Sequence, residues 1–420
     1  MKKIEITRRK LLQASAALGF TAAVPFSIAG LAGCNVKPGS RITANGWREL
    51  ATPAPVGSIT PRVTARENGS PILSWLEPKN DGAAAFRFSI RRDGSWSQPA
   101  TIAEGFLFSR DRASAPGVIA LSNRNLIAYW SQKPARKEPS GNAIELYIAA
   151  STDGGEHWST PALVNRAAAQ PGEDNAYASV AALNGTQAAM IWLDGRSWEK
   201  DKRVLLMSRM VRTDGAMSEL SLLDPDVCTC CSTALVRSGS GLLAAYRGHT
   251  RENIRDISLL QNVAGAWSQP RILLPDHWHI EACPVNGPHL DAEGQRTALI
   301  WFSAPQDQPE VKLAFSEDGG ATFASPLRLD TGNALGRAQV VLLPAHSAVA
   351  FWLENESGTA RLLARQVRNY ALLDEPFELS RGGNFGYPHA ARVSDGILLA
   401  WAEKDKEALS RVRVGLLRVA

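Results

Sequence analysis

The sequence predicts an all-β fold: a propeller of four-stranded antiparallel blades arranged around one central channel. Three observations point there. A short apolar strand ending in an aromatic residue recurs seven times, at intervals of about fifty residues. Turn-forming residues separate the copies, and no long segment of helical period follows residue 45. The last copy has room for only three strands, while a stray strand stands at the start of the repeat region.

From the N-terminus, Thr7-Arg8-Arg9-Lys10-Leu11-Leu12 resembles the twin-arginine export motif. An apolar, Ala/Gly/Ser-rich stretch follows and ends in Leu31-Ala32-Gly33-Cys34, which resembles a bacterial lipobox. Residues 1–33 therefore read as a twin-arginine lipoprotein signal peptide, with Cys34 as the lipidated first residue of the mature protein. Asn35 is not an acidic retention signal, so the expected location is the periplasmic side of the envelope, with the outer membrane favoured and the lipid bilayer as a partner through Cys34. Residues 34–45 read as a polar tether, and residues 46–420 as the propeller.

Of the 420 residues, 46 are basic and 41 acidic, a formal charge of +5. Lys2, Lys3, Arg8, Arg9 and Lys10 against Glu5 account for +4 of it, leaving the mature domain near neutral. That balance gives no electrostatic basis for a nucleic-acid partner.

The seven recurring strands end at Trp75, Trp130, Trp192, Tyr246, Phe302, Trp352 and Trp401. Several units then close with Trp-Ser-x-Pro, at Trp96, Trp158 and Trp267. Seven blades are expected, with six as the alternative if one unit is an insertion. Residues 47–52 are expected to supply the missing outer strand of the final blade, which removes an open sheet edge.

Ser151-Thr152-Asp153-Gly154-Gly155-Glu156-His157-Trp158 matches the Asp-box (BNR-repeat) pattern, and Ser316–Phe323 matches it with Phe in place of Trp. On these turns the chain resembles the sialidase superfamily over nearly all of residues 47–420. The resemblance implies an exo-sialidase-like glycoside hydrolase, or a glycan-binding propeller, with three arginines on a substrate carboxylate, an aspartate acid/base, and a tyrosine nucleophile activated by a glutamate. Carried onto this chain, the arginines are Arg62, Arg247 and Arg337, the acid Asp111, the nucleophile Tyr387 and its activator Glu281. Thr60-Pro61-Arg62-Val63 departs from the Arg-Ile-Pro motif of the family at the first arginine. Ordinary loop roles for these residues are the alternative.

Four cysteines remain after Cys34: Cys228, Cys230 and Cys231 where the fourth unit begins, and Cys283 where the fifth begins. Both segments are expected on adjacent innermost strands and therefore in one cluster. If residues 228–231 are extended, Cys228 and Cys230 face one way and Cys231 the other. Two readings stay open. One is a pair of disulfides, suited to an oxidising compartment. The other is a soft-metal site for copper or zinc, with His277, His279 or His289 assisting the thiolates. The pairing of Cys-x-Cys-Cys with Cys-Pro-Val-Asn-Gly-Pro also resembles a bacterial sialidase-like subgroup. Asp194, Arg196, Arg247, His249, Arg251, Arg255 and Asp256 follow inner strands nearby and are expected to form a charged rim at the channel mouth. Three functions follow: a glycan-processing or glycan-binding propeller, a metal or redox protein using the cysteines, and a scaffold for envelope partners.

Overall fold

A computed structural model describes residues 44–135, 143–165, 174–239, 241–404 and 409–419. The segments expected as signal peptide and tether, with Cys34, lie outside the described residues except for residues 44 and 45.

Seven small antiparallel sheets follow one another, six with consecutive strands in simple up-and-down succession and the seventh with three such strands plus Trp47–Leu50. Blade one runs from Ile59–Ala65 through Pro71–Pro78 to Ala84–Arg92, and its edge is split between Ser95–Trp96 and Ala100–Gly105. The innermost strands of the later blades are Gly117–Ala120, Asn175–Asn184, Ala234–Ser238, His289–Glu293, Ala334–Leu343 and His389–Val393. Each packs against its neighbour, and the last packs against the first, so the ring closes. This is the seven-bladed propeller.

The second strand of each blade forms the core. Trp75, Trp192, Trp301, Trp352 and Trp401 are all fully buried there, as is Tyr246 in blade four. A buried indole needs a partner for its N–H. In four blades the partner is the residue two positions on, which points to the same face of the strand. Trp130 donates to Gln132, Trp192 to Asp194, Trp352 to Glu354 and Trp401 to Glu403. The aromatic strand end is thus followed by a fixed polar tail.

The expected closure is present and shorter than the sequence suggested. Trp47–Leu50 pairs with Ser410–Leu417, with Trp47 opposite Leu417 and Leu50 opposite Val414. The Trp47 ring lies 6.0 Å from that of Trp401, and its N–H donates to the Leu379 carbonyl. Residues 51 and 52 leave the sheet.

The Ser-x-Asp turns are tied internally. Ser151 Oγ donates to Asp153 and accepts from the Gly155 N–H, and the Asp153 carboxylate accepts from His157 N–H. Gly155 has φ +98°, and a Cβ there would meet the Phe88 ring at 2.5 Å. Trp158 then packs edge-on to Phe88, joining blade two to blade one. Ser316, Asp318 and Gly320 repeat the same bonds.

The cysteine segments are a correction. Residues 228–233 are not an innermost strand. They form a turn and link between the outer strand of blade three, Ser221–Val227, and the inner strand of blade four. Cys283 lies on the next link, between Ala266–Trp267 and His289–Glu293.

Candidate functional site

One end of the ring carries the links that run from the outer strand of each blade to the inner strand of the next, and chemistry-bearing residues collect on them. Asp111 lies on the link from blade one, Asp174 on that from blade two, Cys228–Cys231 on that from blade three, and Tyr387 on that from blade six.

Three inner strands enter the sheet through the same irregularity. The ladder skips two residues after Ile59, after Ala176 and after Gly336. The first skipped residue is left-handed in each: Thr60 at φ +49°, Tyr177 at +57° and Arg337 at +51°. Such conformations are strained for residues with a side chain and concentrate at functional sites. A bulge re-aims a side chain that the pleat would otherwise direct elsewhere.

Arg337 and Tyr387 share a cavity of about 690 Å³ with Asp111, Arg110, Arg112 and Asn384. Arg337 Nη1 donates to the Phe385 and Gly386 carbonyls, and its guanidinium lies 4.8 Å from the centre of the Tyr387 ring. The Tyr387 hydroxyl donates to the Val285 carbonyl, and burial pushes it up to about 12. Arg112 donates to Asn384 at 2.6 Å, and Arg110 to the Gly82 carbonyl at 2.8 Å. Asp111 accepts a 2.9 Å hydrogen bond from the Tyr177 hydroxyl. Burial and the Asp111 charge raise the Tyr177 phenol, so it holds its proton as the donor. The Asp174 side chain still reaches solvent, yet the protein crowding its carboxyl, followed by the Asp111 charge, raises it to about 6.

Asp111, Arg337 and Tyr387 are therefore brought together. Arg62 is not in that cavity. It projects into the central channel, a space of about 390 Å³ that reaches Tyr387, and lies 5.7 Å from the Tyr129 ring centre. His289 and His389 share the channel; enclosure, with the Arg62 charge second, lowers His289 to about 4 and holds His389 well below the ordinary imidazole range. Arg247 lies elsewhere, fully buried against Trp278. It donates to the Arg255, Asn286 and Phe302 carbonyls at 2.6–3.0 Å, so it ties blade four to blade five and does not line the cavity. Glu281 is exposed and is not part of the cavity wall. The charged rim forms in part: Asp194 pairs with Arg196, and His249 with Asp226. Asp256 is buried and accepts from the His277 and Trp278 N–H groups.

Sequence reasoning missed Tyr177, Asp174, Arg110 and Arg112. Arg110 and Arg112 flank Asp111 and were legible as a basic pair, whereas nothing in the sequence marks Tyr177 as left-handed.

The four cysteines converge although the strands expected to carry them do not. Cys230 and Cys283 form a disulfide with Cα atoms 6.1 Å apart. Cys228 and Cys231 are buried free thiols with sulfurs 3.6 Å apart. Arg255 Nη1 donates to Cys228 Sγ at 3.1 Å. The Cys231 hydrogen bond holds Cys228 below the ordinary thiol range, with Arg255 assisting, while burial pushes Cys231 up. Among the described residues no histidine joins the clustered sulfurs of Cys228, Cys230 and Cys231. His277 and His279 are exposed, and His289 lines the channel. Two free thiols beside a disulfide do not make up the closed four-ligand set of a thiolate zinc centre.

No protein-family model matches the sequence, and no curated protein matches it. Solved structures do. A polysaccharide lyase of family PL25, ulvan lyase bound to -[GlcA(1-4)Rha3S]-, superposes with a TM-score of 0.58 at 13% identity, over 89% of this chain and 96% of that one. The NanB sialidase of Streptococcus pneumoniae matches at TM-score 0.45 and 12% identity, over 86% of this chain and 68% of that one. An α-L-arabinanase of Penicillium chrysogenum matches at 0.46 and 11%, over 78% and 100%. What is shared is the propeller. The residues above must carry the rest.

Proposed function

We propose that this protein is an envelope-anchored, sialidase-like propeller that binds a carboxylated glycan in the link-face cavity and processes it by acid–base chemistry. One observation carries the reading: Arg110, Arg112 and Arg337 line a single cavity with Tyr387 and with Asp111, whose carboxylate accepts from the Tyr177 hydroxyl. Guanidinium groups suit a sugar carboxylate because they present paired donors in its plane. Asp174, on the next link and outside the cavity wall but within the field of Asp111, is raised to about 6 and can hold or release a proton near neutral pH, as a general acid or base requires. Tyr177 stays protonated and orients Asp111. The acidic sugar held by the ulvan lyase supports a carboxylated ligand as the class to test first.

The test is calorimetry on the exported protein, with sialyllactose and a glucuronate-containing oligosaccharide against lactose. An acidic sugar is expected to bind and lactose is not. Arg112→Ala should weaken binding about tenfold or more, the scale of one charged hydrogen bond at about 1.5–3 kcal/mol. Equal binding of lactose, or no binding of either acidic sugar, overturns the reading.

Anchoring is part of the same proposal. Changing Arg8 and Arg9 together to Lys should block export, and Cys34→Ala should leave an exported protein without lipid. Palmitate labelling that persists in Cys34→Ala counts against the anchor.

A further inference from the structure

We propose that the four cysteines form a thiol–disulfide exchange centre, in which the buried Cys228/Cys231 dithiol communicates with solvent through the Cys230–Cys283 disulfide. The centre does not depend on the glycan reading, because it uses none of the cavity's arginines or carboxylates.

The argument is geometric. The sulfurs of Cys228, Cys230 and Cys231 all lie within 4.8 Å of one another, so a buried thiol lies beside each end of a possible exchange. Cys228 and Cys231 are nearly fully covered, while Cys283 is exposed. The disulfide is therefore the route by which an external thiol or disulfide reaches the inner pair. Exchange needs a thiolate as attacker. Arg255 donates to Cys228 Sγ from 3.1 Å and is itself buried, which favours a negative sulfur there. Cys231 is the resolving thiol, 3.6 Å away at Cys-x-x-Cys spacing.

The step balances without an external oxidant. The Cys228 thiolate attacks Cys230 Sγ; the Cys230–Cys283 bond breaks and its electron pair leaves on Cys283 as a solvent-facing thiolate. Cys231 then attacks Cys228 Sγ and breaks the transient Cys228–Cys230 bond. Its proton passes to Cys230. Two electrons have moved from the inner pair to the outer pair. An external disulfide can next reoxidise Cys230 and Cys283, which leaves both pairs bridged.

The test uses the exported full-length protein and oxidised glutathione, with free thiols alkylated and mapped by mass spectrometry. The expected result is loss of both buried thiols and appearance of a Cys228–Cys231 bridge beside Cys230–Cys283. In a variant carrying Cys230→Ser and Cys283→Ser, with folding checked by its melting temperature, oxidation of Cys228 and Cys231 should slow at least tenfold. If that variant fails to fold, Cys231→Ser takes its place, and exchange should then stop at a Cys228–Cys230 bridge with Cys283 alkylated or glutathionylated. The proposal is overturned if Cys228 and Cys231 stay reduced at every ratio of oxidised to reduced glutathione. Oxidation at the parental rate in the double variant, or stoichiometric zinc or copper on the purified protein, overturns it equally.

Discussion

Arg247 and Arg337 look interchangeable in the sequence, each a lone arginine close to an inner or second strand, yet they do opposite work. Arg247 gives its donors to three backbone carbonyls, of Arg255 in blade four, Asn286 on the link into blade five and Phe302 in a blade-five strand. Arg337 is left-handed and turned onto Tyr387. Backbone conformation decides between them, and nothing in a non-glycine residue type announces it. This is why the site was only partly legible: Asp111, Arg337 and Tyr387 were found by resemblance, and Tyr177 was not found at all. Arg247→Met should cost about 3 kcal/mol or more in urea unfolding, because buried carbonyls lose their partners. Wild-type stability in that variant would contradict the clamp. Asp174 gives a second test. Its carboxyl is raised to about 6, so any activity that depends on its charge should change through that pH, and Asp174→Asn should remove that limb of the profile while leaving any other.

The strands were legible for a physical reason. Each second strand is covered on both faces, so it must be apolar and must end in something large enough to fill the space between blades. Trp192, Trp352 and Trp401 do this at 0% exposure. The links carry no such constraint and show no period, so the cysteine turn at 228–231 was misread as a strand. The closing strand was readable because its Trp47 copies the outer-edge tryptophans. Its contact is tight. A Cβ on Gly415 would lie 2.0 Å from the Trp47 ring, so Gly415→Ala should displace the closing strand. Trp47→Ala should destabilise the domain by about 2–4 kcal/mol, below the range for a fully buried tryptophan because the ring is only partly covered. Thermal melts of both variants check this, and an unchanged melting temperature in each would remove the closing strand from the list of stabilising elements.

At the scale of the whole ring, the channel holds groups whose proton equilibria oppose each other. Burial raises Asp291 to about 6, so its neutral form is favoured and stability falls as pH rises from about 4 to about 6. His289 is lowered to about 4, so stability falls in the reverse sense, as pH drops from about 6.5 to about 4. The two trends offset each other over the same window. Asp291→Asn removes one of them and should make acid destabilisation steeper. The excess loss between pH 6.5 and pH 4 should be about 1–2 kcal/mol, after allowance for screening by channel water. Urea melts across that range provide the measurement, and parallel curves for the two proteins would count against it. The ring's closure by both chain ends has a further consequence, in time. Trp47 pairs with Leu417, 370 positions later. At about 5–20 residues per second, the ribosome delivers that partner roughly 20–70 s after Trp47 is made. Until then six blades can stack, but the seventh stays an open three-stranded remnant or less. A nascent chain stalled before residue 410 should accordingly yield to protease at the first and last blades, whereas the released chain should resist.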